Sequence, residues 1–221
     1  MGRTYIVTGF YGSGKTEFCV NLAMSLQVPV TIADLDVINP YFRSREKATL
    51  LARHKIDIMG NSLGNNTGQD LPAVSYAFTS RIIRGENVIL DLAGGEIGVN
   101  LLAPCYNALA HCPAPIEFLC VLNLFRPETN TVAKMVDFIR GINAVSKLHI
   151  TGLVNNGHML HDTTAEHILS SQKVVCEAAH VLEVPVRYTL IRRDIYDDIA
   201  DNIKSYKVLT FERLTMREDW Q

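Results

Sequence analysis

Short runs of apolar residues alternate with segments of helical periodicity from one end of this 221-residue chain to the other. The runs Thr4–Phe10, Val28–Asp36, Asn87–Ala93, Glu117–Leu124, His149–Asn155 and Val184–Arg192 predict strands, with weaker candidates at Ile56–Met59 and Val208–Leu214. Most are continuous in Val, Ile and Leu rather than alternating apolar and polar, the pattern of strands covered on both faces of a parallel sheet. Between them, Lys15–Gln27, Leu71–Arg84, Thr129–Ile142 and Thr163–Leu182 carry apolar residues three and four apart and predict helices. Strand and helix taking turns implies right-handed βαβ units. The expected fold is α/β, a three-layer, doubly wound, mostly parallel sheet in one domain over residues 1–221. No linker, repeat or low-complexity tract interrupts the pattern.

In such a sheet a ligand sits beyond the carboxyl ends of the strands, and the chemically distinctive residues fall there. Gly9-Phe10-Tyr11-Gly12-Ser13-Gly14-Lys15-Thr16 fits G-x-x-x-x-G-K-[ST] between a strand and a helix. Glycines let the backbone curl so that successive N–H groups face one anion, and the helix start adds the positive end of its dipole. Gly12, Ser13, Gly14, Lys15, Thr16 and the adjoining Glu17 are the candidate phosphate-binding residues. Lys15 supplies a charge to the β- and γ-phosphates, and Thr16 a hydroxyl to Mg2+. The strand Asn87–Asp91 ends in an acid, as a Walker B segment does, and Asp91 is a candidate Mg2+ ligand. Gly94 and Gly95 follow it at a position suited to reading a γ-phosphate. Leu92 stands where many ATPases carry a catalytic Glu. Asp34 and Asp36 lie two apart at the end of the second strand and so share a face. Asp34 is a candidate for the Mg2+ shell, and Asp36 for orienting the attacking water.

Taken in this order, the glycine loop, the Asp-x-Asp and the Asp-x-x-Gly-Gly resemble the MinD/ParA-like branch of P-loop ATPases, part of the SIMIBI class. The resemblance covers about residues 4 to 192. It implies an ATPase switch with Asp36 as the hydrolytic switch I acid, Asp91 as the switch II magnesium acid and Gly94 at the γ-phosphate sensor. It also implies a possible homodimer closing over two ATP molecules, or another protein partner or cargo. The family's lysine near the start of the loop is missing: Phe10 or Tyr11 occupies its place. Arg43 and Arg45 are candidate replacement cations. No Asp lies three residues after Asn155 or Asn156, unlike the guanine-reading N-K-x-D pattern. Family members bind adenine through an Asn at this strand end, so Asn155 and then Asn156 are the candidate base contacts, with Thr189–Arg192 as the opposite wall. ATP with Mg2+ is the expected cofactor pair.

Composition narrows the alternatives. A formal net charge of -2 and no basic run give no strong signal for nucleic acid. No apolar stretch approaches the roughly 20 residues of a membrane span, and no signal peptide is visible. Five cysteines, an odd number without a C-x-x-C pair, predict reduced thiols and a cytoplasmic protein. The Cys105/Cys112 spacing matches no metal motif, while His158, His161 and His167 form a local cluster. Phe125–Thr129 is a further segment of interest, with Thr129 as a possible helix cap and Arg126 facing the nucleotide crevice. A small-molecule kinase or ligase holding its substrate near Arg43, Arg45 and Asn65, and a non-hydrolysing assembly module, are the competing functions.

Overall fold

All eight apolar runs are strands, and they form one sheet in which every neighbouring pair is parallel. The computed structural model describes residues 2–36, 48–59, 77–212 and 215. The candidates Arg43, Arg45 and Asn65, and the first part of the expected helix from Leu71, lie outside them. The strands are β1 (Thr4–Gly9), β2 (Val30–Leu35), β3 (Ile56–Met59), β4 (Val88–Leu92), β5 (Ile116–Leu122), β6 (Gly152–Asn155), β7 (Val186–Arg192) and β8 (Val208–Phe211). Their order across the sheet is β3-β2-β4-β1-β5-β6-β7-β8. The described helices are α1 (Lys15–Leu26), α2 (Ala48–Arg53), α3 (Thr79–Ile83), α4 (Gly95–Asn100), α5 (Tyr106–Ala110), α6 (Val132–Ser146), α7 (Ala165–Leu182) and α8 (Arg193–Ile203).

Successive strand residues feed opposite layers, as the pleat requires. Ile6, Leu90, Leu92 and Phe118 pack with Val99, Leu102, Met135 and Ile139 from α4 to α6. Tyr5, Val7, Ile32, Ile89 and Leu119 pack on the other face with Phe18 and Leu22 of α1. The sheet is therefore covered on both sides, which is why its central strands carry no alternation. The same parity places the acids. Asp34 lies two residues after Ile32 and Asp91 two after Ile89, so both carboxylates project to the α1 side of the sheet.

Several elements differ from the sequence reading. α6 begins three residues later than expected. Its N-cap is Thr131, whose hydroxyl accepts from the Lys134 N–H. Thr129 is buried instead, donating its hydroxyl to the Asn123 carbonyl at 2.7 Å. Helix α8 was not anticipated, because acids and arginines dilute its apolar content. Its signal lies in Ile195, Ile199 and Ile203, four residues apart, which pack on Ile168 of α7 and Ile191 of β7. The short helices α4 and α5 follow the glycine pair after β4, where turn residues mask any periodicity.

Phe18 ties α1 to the sheet: it is 0% exposed and its ring centroid lies 5.5 Å from that of Tyr188. Phe18→Ala is expected to destabilise the protein by about 3–5 kcal/mol, the usual cost of a phenyl-sized core cavity. Urea titration followed by circular dichroism measures it, and a loss below about 1 kcal/mol contradicts this packing.

Candidate functional site

The loop Gly9–Thr16 joins the carboxyl end of β1 to α1, close to the middle of the sheet. Gly14, at φ 84°, turns the chain into α1 and brings no side-chain cap. The first N–H groups of α1 are thus not covered by a cap, which is the arrangement that binds anions. Lys15 is 6% exposed, and its Nζ donates to the Phe10 carbonyl at 3.2 Å. Burial lowers its pKa, while Asp91 and Asp36 pull it back up. Ser13 is fully buried and its Oγ makes no hydrogen bond among the described residues.

The acids gather beside this lysine. Asp34 and Asp91 are register neighbours on β2 and β4. Asp36, just past β2, is 6% exposed, and its N–H donates to Asp34 Oδ1 at 3.2 Å. Asp91 is 1% exposed, and neither of its oxygens has a hydrogen bond of ordinary geometry among the described residues. Burial pushes its pKa up to about 7, with Asp34 adding to the rise. The Thr16 hydroxyl and Lys15 oppose it but do not cancel it. Two adjacent carboxylates, one without a hydrogen bond of ordinary geometry among the described residues, fit a divalent cation: hard oxygen donors facing a site that needs positive charge. Thr16, Asp91 and Asp34 are the residues here that would hold Mg2+, directly or through water.

Glu17, grouped with the loop by sequence, turns away from it. Its Oε1 accepts from Asn21 Nδ2 at 2.7 Å and from the Thr215 N–H at 2.8 Å, tying α1 to the C-terminal segment. Gly94 stands at the N-cap of α4, and a Cβ there would come within 2.9 Å of the Tyr11 ring. Tyr11 thus bridges the glycine loop and the segment after β4, with its ring centroid 5.9 Å from Lys15 Nζ. The position of Tyr11 was read only as a missing lysine; its contact with Gly94 depends on a residue far away in sequence.

The two asparagines after β6 do different work. Asn155 is 0% exposed: Nδ2 donates to Gln172 Oε1 at 2.8 Å, and Oδ1 accepts from the Gly157 N–H and the Ser171 hydroxyl, both at 3.1 Å. Asn156 Nδ2 donates to the Ser13 carbonyl at 2.7 Å and so latches the glycine loop to β6. Both amides are therefore directed into the protein. A cavity at the carboxyl ends of β6, β7 and β8 is lined by Asn156, His158, Leu190, Arg192 and Phe211, among others. Burial lowers the His158 pKa to about 4, and the nearby Arg126 charge adds to this, so the ring is neutral at pH 7.

The histidine cluster does not converge. His167 completes a capping box with Thr164, and His161 lies 3.3 Å from Asp162 at the surface. Cys105 is buried in the core beneath α4, and the Cys112 thiol donates to the Ala114 carbonyl at 3.4 Å. Among the described residues no group of three or more His, Cys, Asp or Glu side chains is placed to hold a metal ion, so a Mg2+ site here would rest on two carboxylates and the Thr16 hydroxyl. No described helix is long and apolar enough to cross a membrane.

No protein-family model matches this sequence, and no curated protein matches it. Solved structures do share its shape. Chloroplast FtsY from Physcomitrella patens is similar at a TM-score of 0.58 and 19% identity, over 86% of this chain and 58% of that one. The cell division protein FtsY from Thermotoga maritima gives 0.56 and 18%, over 86% and 61%. The signal recognition particle 54 kDa protein from Aeropyrum pernix, in complex with GDP, gives 0.55 and 15%, over 85% and 41%. The chain thus spans less than two thirds of the length of these proteins. At this identity the likeness shows the fold alone: a parallel sheet flanked by helices.

The raised pKa of Asp91 has a consequence for stability. The folded state holds its proton more tightly than the unfolded chain does, so ionising it costs nothing extra below about pH 4 and progressively more up to about pH 7. The full penalty is about 4 kcal/mol. In metal-free buffer, the unfolding free energy of the wild type minus that of Asp91→Asn is expected to fall as pH rises from about 4 to about 7. Urea titrations across that range measure it, and a difference flat with pH overturns the assignment.

Proposed function

We propose that this chain is a magnesium-dependent nucleoside triphosphatase that works as a switch, binding the triphosphate on Gly9–Thr16 and releasing phosphate. The observation that supports it best is the unsatisfied, buried carboxylate of Asp91 beside Asp34, Lys15 and Thr16. A purely structural glycine turn has no use for such a group, which costs free energy until a cation arrives. Mg2+, when bound, would neutralise the acids and screen the phosphate oxygens. Lys15 would hold the β- and γ-phosphates, and Asp36 would orient the attacking water from just past the carboxyl end of β2. Catalysis then rests on positioning and charge stabilisation.

Within this reading the nucleotide is ATP. Among the described residues no carboxylate lines the small cavity beyond β6 to β8 to accept from the N1–H and 2-amino group of guanine, and His158 is a neutral ring. The GDP held by the Aeropyrum pernix neighbour makes GTP the second choice. The MinD/ParA-like branch remains the motif-based assignment, inside a class that also takes in the signal recognition particle neighbours. Gly94, with the segment from it into α4, is the part expected to respond to the γ-phosphate and to signal to a protein partner or a second copy of the chain.

Calorimetric titration of the purified chain with Mg·ATP and Mg·GTP, together with phosphate release without an added acceptor, tests the proposal. Saturable Mg·ATP binding with slow turnover is expected, weakened at least about 100-fold by Lys15→Ala, since that variant loses the one ammonium buried in the loop. Turnover that appears only with an added metabolite would instead favour a kinase. Equal binding by wild type and Lys15→Ala would remove the site altogether.

A further inference from the structure

One cation beside the glycine loop has no part in this scheme. Arg126 lies in the turn after β5 and is half-buried. Its Nε donates to the Gly12 carbonyl at 3.0 Å. A Cβ placed on Gly12 would stand 3.2 Å from the guanidinium carbon, so the group lies directly on the loop. Among the described residues no carboxylate forms an ion pair with it. Its terminal nitrogens also make no hydrogen bond there.

The sheet order says which part of a nucleotide it would meet. Asp34 and Asp91 lie on β2 and β4, to one side of β1, and mark the magnesium end of the polyphosphate. The carboxyl ends of β6, β7 and β8 lie to the other side, around a cavity of about 20 Å³ that is too small to enclose a base, and on the nucleotide reading the base would lie over these strand ends. Arg126 reaches the loop from β5, on the base side. We propose that Arg126 is a nucleotide-binding residue whose terminal N–H groups grip the α-phosphate, at the end of the chain of phosphates joined to the ribose. This rests on the nucleotide reading of the loop and adds a residue to it.

The chemistry suits the place. A guanidinium is permanently charged and offers paired N–H groups matching two phosphate oxygens. The bond from Nε to Gly12 fixes its plane before the ligand arrives, so little side-chain freedom is lost on binding. An α-phosphate is present before and after the γ-phosphate leaves. The contact therefore strengthens substrate, transition state and product alike, and lowers KM rather than raising kcat. An arginine acting on the γ-phosphate would do the opposite.

Arg126→Gln, compared with the wild type in the full chain, tests this. Titration with Mg·ADP and with a non-hydrolysable ATP analogue should show both weakened by similar factors, about 10- to 100-fold, as for one charge-assisted hydrogen-bonded pair. KM for ATP should rise to match, with kcat changed less than about threefold. The salt dependence of ADP binding should also become shallower, because one ionic contact has gone; loss of a merely structural prop would leave that slope unchanged. Arg126→Lys, which keeps the charge without the fork, should fall between the two and guards against misfolding of the first variant. A large drop in kcat with ADP affinity intact, or no change in either affinity, overturns the proposal. A wild type that binds no nucleotide at all overturns the reading of the loop beneath it.

Discussion

The rest of the site depends on burying like charges next to one another. Asp34 and Asp91 come from adjacent parallel strands at the same register, on the face that α1 covers. Asp91 is almost fully buried, and nothing in the described protein hydrogen-bonds it well. In a medium of low dielectric such a pair is unfavourable unless a proton or a cation intervenes. Lys15 supplies part of the compensation, yet it is itself desolvated and its own pKa is lowered. The lysine and the acids therefore support each other only incompletely. The protein gives up stability here, as is common where activity needs a strained site; on the proposed function a metal and a polyphosphate would complete the charge balance together.

This electrostatic arrangement is held by ordinary packing. The glycine loop is fixed from three directions: by α1 below, through fully buried Phe18; by β6, through Asn156 and the Ser13 carbonyl; and by β5, through Arg126 and the Gly12 carbonyl. Asn155 sets the Asn156 turn by bonding Gln172 and Ser171 of α7. Gln172 also accepts from Thr189 of β7, so α7 staples the ends of β6 and β7 beside the small cavity there. The opposite flank is less enclosed. Gly94 contacts the Tyr11 ring rather than a hydrogen-bonding partner, and Gly95 has open space around it at φ 69°. Rigid on the β5 to β7 side and lightly held after β4, the site has its adaptable part where a γ-phosphate would be sensed.

Much of this was legible before any coordinates. Continuous Val, Ile and Leu runs mark strands buried on both faces, and all eight runs proved to be strands because nothing else in the chain competes for that pattern. The glycine loop and the acidic strand ends carry their chemistry in local spacing, but parity along one strand spoke only of Asp34 and Asp36; the pairing of Asp34 with Asp91 comes from the register between β2 and β4. What escaped depends on distant partners. Nothing near Asn155 in sequence reveals that its amide is consumed by Gln172, and nothing near Arg126 reveals Gly12. Glu17 follows Thr16 in the chain but points to Thr215. Helix α8 had a readable four-residue isoleucine spacing, hidden by the abundance of charge around it.

The division of the sheet about β1 orders these observations. On one side the strand ends carry carboxylates; on the other lie two internally bonded amides, a neutral histidine and a guanidinium that no described carboxylate pairs. A magnesium nucleotide has the same asymmetry, with the metal drawn toward its terminal phosphates and the uncharged base at the far end. Reversing it would set the phosphates nearest the acids without their metal and bring the cation beside the Arg126 guanidinium, unfavourable at both ends. The loop alone would accept almost any polyphosphate, because peptide N–H groups read charge and not identity. Orientation comes from what flanks it. On the proposed function, the arrangement of strand ends would itself be a determinant of specificity, fixed by the order in which the parallel strands are laid down.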